Sequence, residues 1–269
     1  MLELKFTGER YTGAKDGWIR AEHMHRYAIA AEYASGKVIL DIACGEGYGS
    51  FILSQSGEKV LGMDIDPKAI KFAANKYRRP QLKFKIGDIY ETGLESAMFD
   101  LIVCFETIEH VEDTERAIIE LKRILKPDGL LIMSTPEKTR YNKDRNSANF
   151  FHLKEVSLDE YEEILGRFFD QNYYMFQQSL AASLIFAPNA NGMSGYYGDY
   201  LKMNSTNLSD YTYIISFSGN AMPVLPANSL YNDASLSKQN IIFKQSSKDY
   251  SLGNFLLFPL RILKSFLKL

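Results

Sequence analysis

Cysteine is nearly absent. Cys44 and Cys104 are the only two in 269 residues. Both lie in apolar or site-forming segments, which argues against a disulfide framework and for a reducing compartment. A dominant charge is lacking as well: 31 Lys and Arg face 33 Asp and Glu, a formal net charge of -2. That balance gives no global electrostatic case for nucleic acid, and no arginine-rich module or separate RNA-binding domain is visible. No apolar run is long enough to cross a bilayer. The opening residues, MLELKFTGERYTG, are polar and broken by glycine, so they do not read as a secretory signal. Internal repeats and low-complexity tracts are missing too. What remains is an ordinary globular composition, 46% hydrophobic and 24% charged, on a length that fits one large domain or a domain with an appendage.

The chain is organised around Val38 to Gly49, VILDIACGEGYG. An apolar run leads into Asp41, and Gly45, Gly47 and Gly49 follow as G-x-G-x-G before a helical pattern. Strand, glycine turn and helix bring backbone N–H groups and a helix N-terminus up to a ligand. Glycine is expected at these positions because side chains would hold a ligand away from the backbone.

Strands and helices then alternate. Strands are expected at Val38–Ile42, Lys59–Asp64, Leu82–Ile86, Phe99–Phe105 and Leu130–Ser134. Helices are expected at Ile19–Tyr33, Glu46–Gln55, Pro67 to about Arg78 with Asp66 as N-cap, and Thr107–Leu125, followed by a Lys126–Gly129 turn. Ser157 with Glu160 reads as a capping box opening a helix to Phe168. Asn172–Gln177 and Tyr211–Phe217 close the set as strands, the last of them antiparallel. This alternation predicts an α/β, Rossmann-like, seven-stranded and mostly parallel sheet with helices on both faces. Ligands in such sheets bind at the C-terminal strand ends. We expect an N-terminal cap over residues 1–36, the main domain over 37–217 with an insertion at 179–210, and an extension over 218–269. The Glu22–Tyr27 cluster reads either as a solvated helix face or as part of a cap in which Arg26 or Tyr11 meets a ligand carboxylate.

A glycine turn after a strand suits NAD, FAD or S-adenosylmethionine. Position 50 is Ser50, so the dinucleotide spacing G-x-G-x-x-G is absent. Asp41 stands four residues before the turn, within reach of a ligand ammonium. Val38–Gly49, Gly62–Asp66, Gly87-Asp88-Ile89, Phe99–Val111 and Lys126–Pro136, in that order, resemble the class I S-adenosylmethionine-dependent methyltransferases. The resemblance covers roughly residues 36 to 217. It implies that Asp64 accepts hydrogen bonds from the ribose hydroxyls and that Asp88 holds the adenine amino group. It further implies that Ile65 and Ile89 sandwich the ring and that Phe105 lines the wall near the sulfonium. Gly45, Gly47, Asp41 and Arg26 complete the expected donor site.

On a continuous helix, Glu106, Glu109 and His110 would share one face at i, i+3 and i+4. With His152 they offer two carboxylates and two imidazoles that could bind a divalent metal. E-x-x-E-H with a downstream histidine resembles magnesium-dependent small-RNA 2′-O-methyltransferases and ubiquinone-biosynthesis O-methyltransferases, whose accepting oxygen neighbours another hydroxyl. A metal such as Mg2+ would lower a sugar hydroxyl's pKa. A metal-free site with His110 or His152 as general base, and a bracing role alone, stay open.

Glu9–Tyr11, Glu22–Tyr27 and Asn149–His152 resemble bacterial methyltransferases associated with surface polysaccharides. The final residues, FLLFPLRILKSFLKL, place Arg261, Lys264 and Lys268 on one helical face. This basic amphipathic tail, residues 255–269, reads as lying in a membrane interface, against a tail packed on the domain or on a partner. The expected acceptor is a saccharide or lipid-linked glycan, at the inner face of the cell membrane or in the cytoplasm. A quinone-precursor acceptor and a non-catalytic S-adenosylmethionine-binding module are the alternatives.

Overall fold

The computed structural model describes residues 18–141, 152–179, 195–198, 203–206, 211–221, 223–225 and 229. The 255–269 tail, Tyr11 and most of the 179–210 insertion lie outside the described residues.

The fold is a Rossmann-like α/β sheet of seven strands. Helix α1 (Trp18–Glu32) comes first, followed by β1 (Val38–Ile42), α2 (Tyr48–Leu53), β2 (Lys59–Asp64), α3 (Pro67–Lys76), β3 (Leu82–Ile86) and β4 (Phe99–Phe105). After them come α4 (Thr114–Ile124), β5 (Leu125–Pro136), α5 (Lys138–Tyr141), α6 (Leu158–Gly166), β6 (Gln171–Gln177), the short strands β7 (Gly195–Gly198) and β8 (Met203–Thr206), and β9 (Tyr213–Gly219). The sheet order is β3-β2-β1-β4-β5-β9-β6. Strands β1 to β5 run parallel, and β9 is antiparallel to both of its neighbours. The order reverses between β1 and β4, which places a crevice at their C-terminal ends.

Burial on both faces explains the nearly continuous apolar strands. Leu40, Ile42, Ile102, Cys104, Leu131 and Met133 point to one core with Ile118, Leu121 and Leu165 from α4 and α6. Their neighbours Ile39, Leu101, Val103 and Ile132 point to the other, with Tyr27, Ile29 and Ala30 from α1 and Leu53 from α2. The strict alternation of neighbours between two cores is the period-2 geometry of a strand. Capping follows the expected chemistry. The Asp66 carboxylate accepts from the Lys68 N–H, and Ser157 and Glu160 make both bonds of a capping box.

Most boundaries shift by a residue or two, and three differ in kind. Helix α2 starts at Tyr48, because Gly47 is left-handed (φ 80°) and ends the turn there. No helix runs from Thr107 to Leu125. Glu106 is left-handed (φ 48°), the Thr107 hydroxyl donates to the Phe105 carbonyl, and only one 3-10 turn forms over Ile108–His110. The helix restarts at Thr114, where the Asp113 carboxylate accepts from the Arg116 N–H. Finally, the Lys126–Gly129 turn lies inside β5. Leu125 pairs with Phe99 and Leu130 with Leu101, so the intervening residues form an irregularity in the ladder.

Candidate functional site

The glycine turn is held by the protein's own packing. A methyl group on Gly49 would lie 1.9 Å from the Tyr27 ring, and one on Gly47 would lie 2.7 Å from both Ala73 and Phe84. Close approach within the protein is enough by itself to require glycine at these two positions. Gly45 is also left-handed (φ 54°), and its N–H donates to Asp64 at 2.8 Å.

Asp41 does not offer an open carboxylate. It has no exposed surface, and it accepts the Tyr27 hydroxyl at 2.9 Å and the Ser50 hydroxyl at 2.6 Å, one on each oxygen. Burial pushes its carboxyl up to about 7. It braces α1 and α2 against β1, which replaces the expected reach to a ligand ammonium.

Asp64 closes β2. Its second oxygen accepts the Asp66 N–H at 2.9 Å, so the carboxylate ties the glycine turn to the start of α3. Ile65 beside it is 67% exposed, an apolar side chain standing in solvent at a strand end. The neighbouring strand delivers Asp88: Asp64 pairs with Ile86, and the Gly87 N–H donates to the Asp64 carbonyl. Asp88 accepts the Tyr90 N–H at 2.9 Å, and Ile89 is buried. Phe105, at the end of β4, is buried edge-on to Tyr27 with ring centroids 5.1 Å apart. Asp64, Ile65, Asp88, Ile89 and Phe105 therefore stand at the C-terminal ends of successive strands or just beyond them.

Among the described residues Arg26 is the largest fully buried side chain, 1% exposed. Its Nη1 donates to Glu106 at 2.8 Å, and its guanidinium carbon lies 4.8 Å from the centroid of the Tyr213 ring. Its Nε has no hydrogen-bond partner among the described residues. A buried, unsatisfied donor on a cation is costly, on the order of 1–3 kcal/mol. An acceptor brought to that nitrogen would relieve the cost. Glu22, one turn earlier, is also buried and not a solvated face. It accepts the hydroxyls of Tyr213 (3.0 Å) and Ser179 (2.7 Å), and its carbonyl accepts the Gln177 amide. The 22/26 spacing of opposite charges on a helix was the available signal.

Glu106 does not share a face with Glu109 and His110. Its Oε1 accepts from Arg26 and from the Ser134 hydroxyl at 2.7 Å. The converging group is Glu109, His110 and His152, whose ligand atoms all lie within 4.8 Å of one another. Glu109 is 1% exposed, and burial, followed by the charge of Glu106, raises its carboxyl well above the usual range. The Thr135 hydroxyl donates to it at 3.2 Å. His152 reaches this place because the Leu153 and Lys154 N–H groups both donate to the Glu109 carbonyl. The Tyr141 ring stacks on His152 with centroids 5.2 Å apart. Tyr27, Tyr213 and Glu155 carried no separate signal in the sequence. Two imidazoles and one carboxylate make a donor set suited to Mn2+, Fe2+, Co2+ or Zn2+. Mg2+, which prefers oxygen and water, fits it poorly.

Comparison with known proteins agrees with this geometry. Residues 40–133 match the family described as "Methyltransferase domain". A Mycolicibacterium smegmatis protein named a probable S-adenosylmethionine-dependent methyltransferase is 31% identical over 166 residues, 60% of this chain and 63% of that protein. A ubiquinone biosynthesis O-methyltransferase of Coxiella burnetii is 36% identical over 102 residues, 37% of this chain and 44% of that protein. The chain thus spans about three-fifths or less of the curated relatives it matches. Among solved structures, a Pyrococcus horikoshii protein superposes with a TM-score of 0.54 at 19% identity, covering 78% of this chain and 94% of that one. The magnesium protoporphyrin IX methyltransferase of Synechocystis, solved with bound SAH, superposes with a TM-score of 0.53 at 17% identity, covering 78% and 90%. Residues 40–133 are thus similar in sequence to a methyltransferase domain and to probable S-adenosylmethionine-dependent methyltransferases, and the described residues share the Rossmann-like fold of the solved structures.

Proposed function

We propose that the protein is an S-adenosylmethionine-dependent O-methyltransferase acting on a saccharide hydroxyl of a cell-surface or lipid-linked glycan. The observation that carries the methyl-transfer chemistry is the convergence of Glu109, His110 and His152 at the edge of β4 and β5, where Phe105 ends its strand. Asp64 and Asp88 would serve the ribose and adenine, Ile65 and Ile89 the ring faces, and Arg26 the carboxylate.

S-adenosylmethionine supplies an activated methyl on a sulfonium, so the protein's task is alignment and removal of one proton. Glu109, His110 and His152 would hold a divalent cation, which would lower the pKa of an acceptor hydroxyl and orient it. In a metal-free site, His110 or His152 takes the hydroxyl proton directly. The buried Glu109 favours the first arrangement, because a bound cation would offset the cost of burying its carboxylate. The saccharide reading draws on the likeness of Glu22–Tyr27 and Asn149–His152 to polysaccharide-associated enzymes, and a peripheral membrane position draws on the 255–269 tail. A second reading, a quinone-precursor acceptor, is favoured by the match to the ubiquinone enzyme, although only 102 residues carry it.

The test is mass spectrometry of surface glycans from cells with and without the gene, where one methyl group should be lost. An unchanged glycan with a missing quinone methyl selects the second reading. With the purified protein, Glu109→Ala and His152→Ala should each lower turnover at least 100-fold while calorimetric donor affinity stays within about twofold. Chelator should abolish wild-type activity and Mn2+ restore it. Turnover indifferent to chelator discards the metal.

A further inference from the structure

His152 is held by more than its stacking on Tyr141. Its Nδ1 lies 2.7 Å from Oε1 of Glu155, three residues on, and the two side chains are only 5% and 11% exposed. A carboxylate facing one ring nitrogen takes that nitrogen's N–H, which makes the other nitrogen the lone-pair acceptor. The backbone between them is fixed too, through the two N–H donations from Leu153 and Lys154 to the Glu109 carbonyl at 2.8 and 3.2 Å. His110 packs edge-on against the same ring, with centroids 5.1 Å apart.

We propose that Glu155 is a positioning residue. It fixes His152 in the Nδ1–H tautomer and sets Nε2 as the ring nitrogen that serves the Glu109–His110 cluster. A free histidine side chain favours the opposite tautomer, so the assignment is specific. The short H-x-x-E spacing from His152 to Glu155 is a strap: one end of it docks on Glu109 by backbone, and the other orients the ring by charge. Whether His152 acts as a metal ligand or as a base, it needs the same lone pair. The inference rests on the reading of Glu109, His110 and His152 as the reactive cluster.

Long-range 1H–15N correlation spectra of the full chain labelled at its four histidines test it at pH 8, with His152 assigned from the His152→Gln spectrum. Wild-type His152 should carry its proton on Nδ1. Glu155→Leu should move it to Nε2 and weaken Co2+ binding, read from the visible absorption of the ion, about 10- to 100-fold. Turnover should fall by a similar factor, with donor affinity unchanged. Glu155→Gln, whose carbonyl still accepts a hydrogen bond, should keep the tautomer. Wild-type His152 protonated on Nε2 overturns the proposal without any variant. So does a folded Glu155→Leu with unchanged tautomer. A wild-type protein that binds no Co2+ removes the metal reading alone, and the tautomer measurement still decides Glu155.

Discussion

Asp41 stores a pH dependence. Its carboxyl is raised from 3.8 to about 7, chiefly by burial. The folded chain therefore binds this proton more tightly than the unfolded chain between those values. The contribution to stability is full at acid pH, declines as pH rises from about 4 to about 7, and is level above that. A rise of that size is worth at most about 4 kcal/mol. Asp41→Asn keeps the side-chain shape and removes the ionisation. We expect urea unfolding of the wild type to lose about 2–4 kcal/mol between pH 4.5 and 7.5 beyond any change in Asp41→Asn. Parallel profiles for the two proteins would refute the assignment. The same residue shows where sequence reading ran short: an Asp before a glycine turn looks ligand-facing. Its two hydroxyl partners, Tyr27 and Ser50, become visible only in three dimensions. Arg26 and Glu106, 80 residues apart, were hidden for the same reason.

At the scale of elements, α1 meets the glycine turn at one tight contact. The Tyr27 ring occupies the space a side chain at residue 49 would need. Gly49→Ala should force α1 off the turn at a cost of about 1–3 kcal/mol, several degrees in melting temperature for a chain of this size. Tyr27→Ala in the same chain should recover part of that loss. Strictly additive losses in the double variant would rule the contact out. Elements were legible where local and global signals agree. Lys59–Asp64, Leu82–Ile86 and Phe99–Phe105 begin and end where their patterns do. The stretch after Phe105 was not legible. A left-handed glutamate has no sequence signature, and the E-x-x-E-H spacing implied a helical face that Glu106 leaves.

The molecule as a whole combines a sheet that reads clearly in the sequence with segments beyond Pro136 that do not. Among the described residues no helix is long and apolar enough to cross a membrane. The expected membrane contact is the basic tail. Removing residues 255–269 should shift the protein from the membrane to the soluble fraction after cell breakage and leave donor affinity unchanged. A truncated protein that still sediments with membranes would place the contact elsewhere.

The pairing of β6 with β9 has a consequence for how such a chain can diversify. Gln177 ends β6, Tyr213 begins β9, and the two sit opposite each other on the same rung, with the Thr212 N–H donating to the Gln177 carbonyl. The chain leaves the sheet at Gln177 and rejoins it at Tyr213, and both residues bond to Glu22. A segment closed at its own base can be exchanged or lengthened at little entropic cost, each doubling of length adding only about 0.6 kcal/mol. The stretch of chain between Gln177 and Tyr213 can thus be replaced like a cartridge without moving a strand of the seven-stranded sheet.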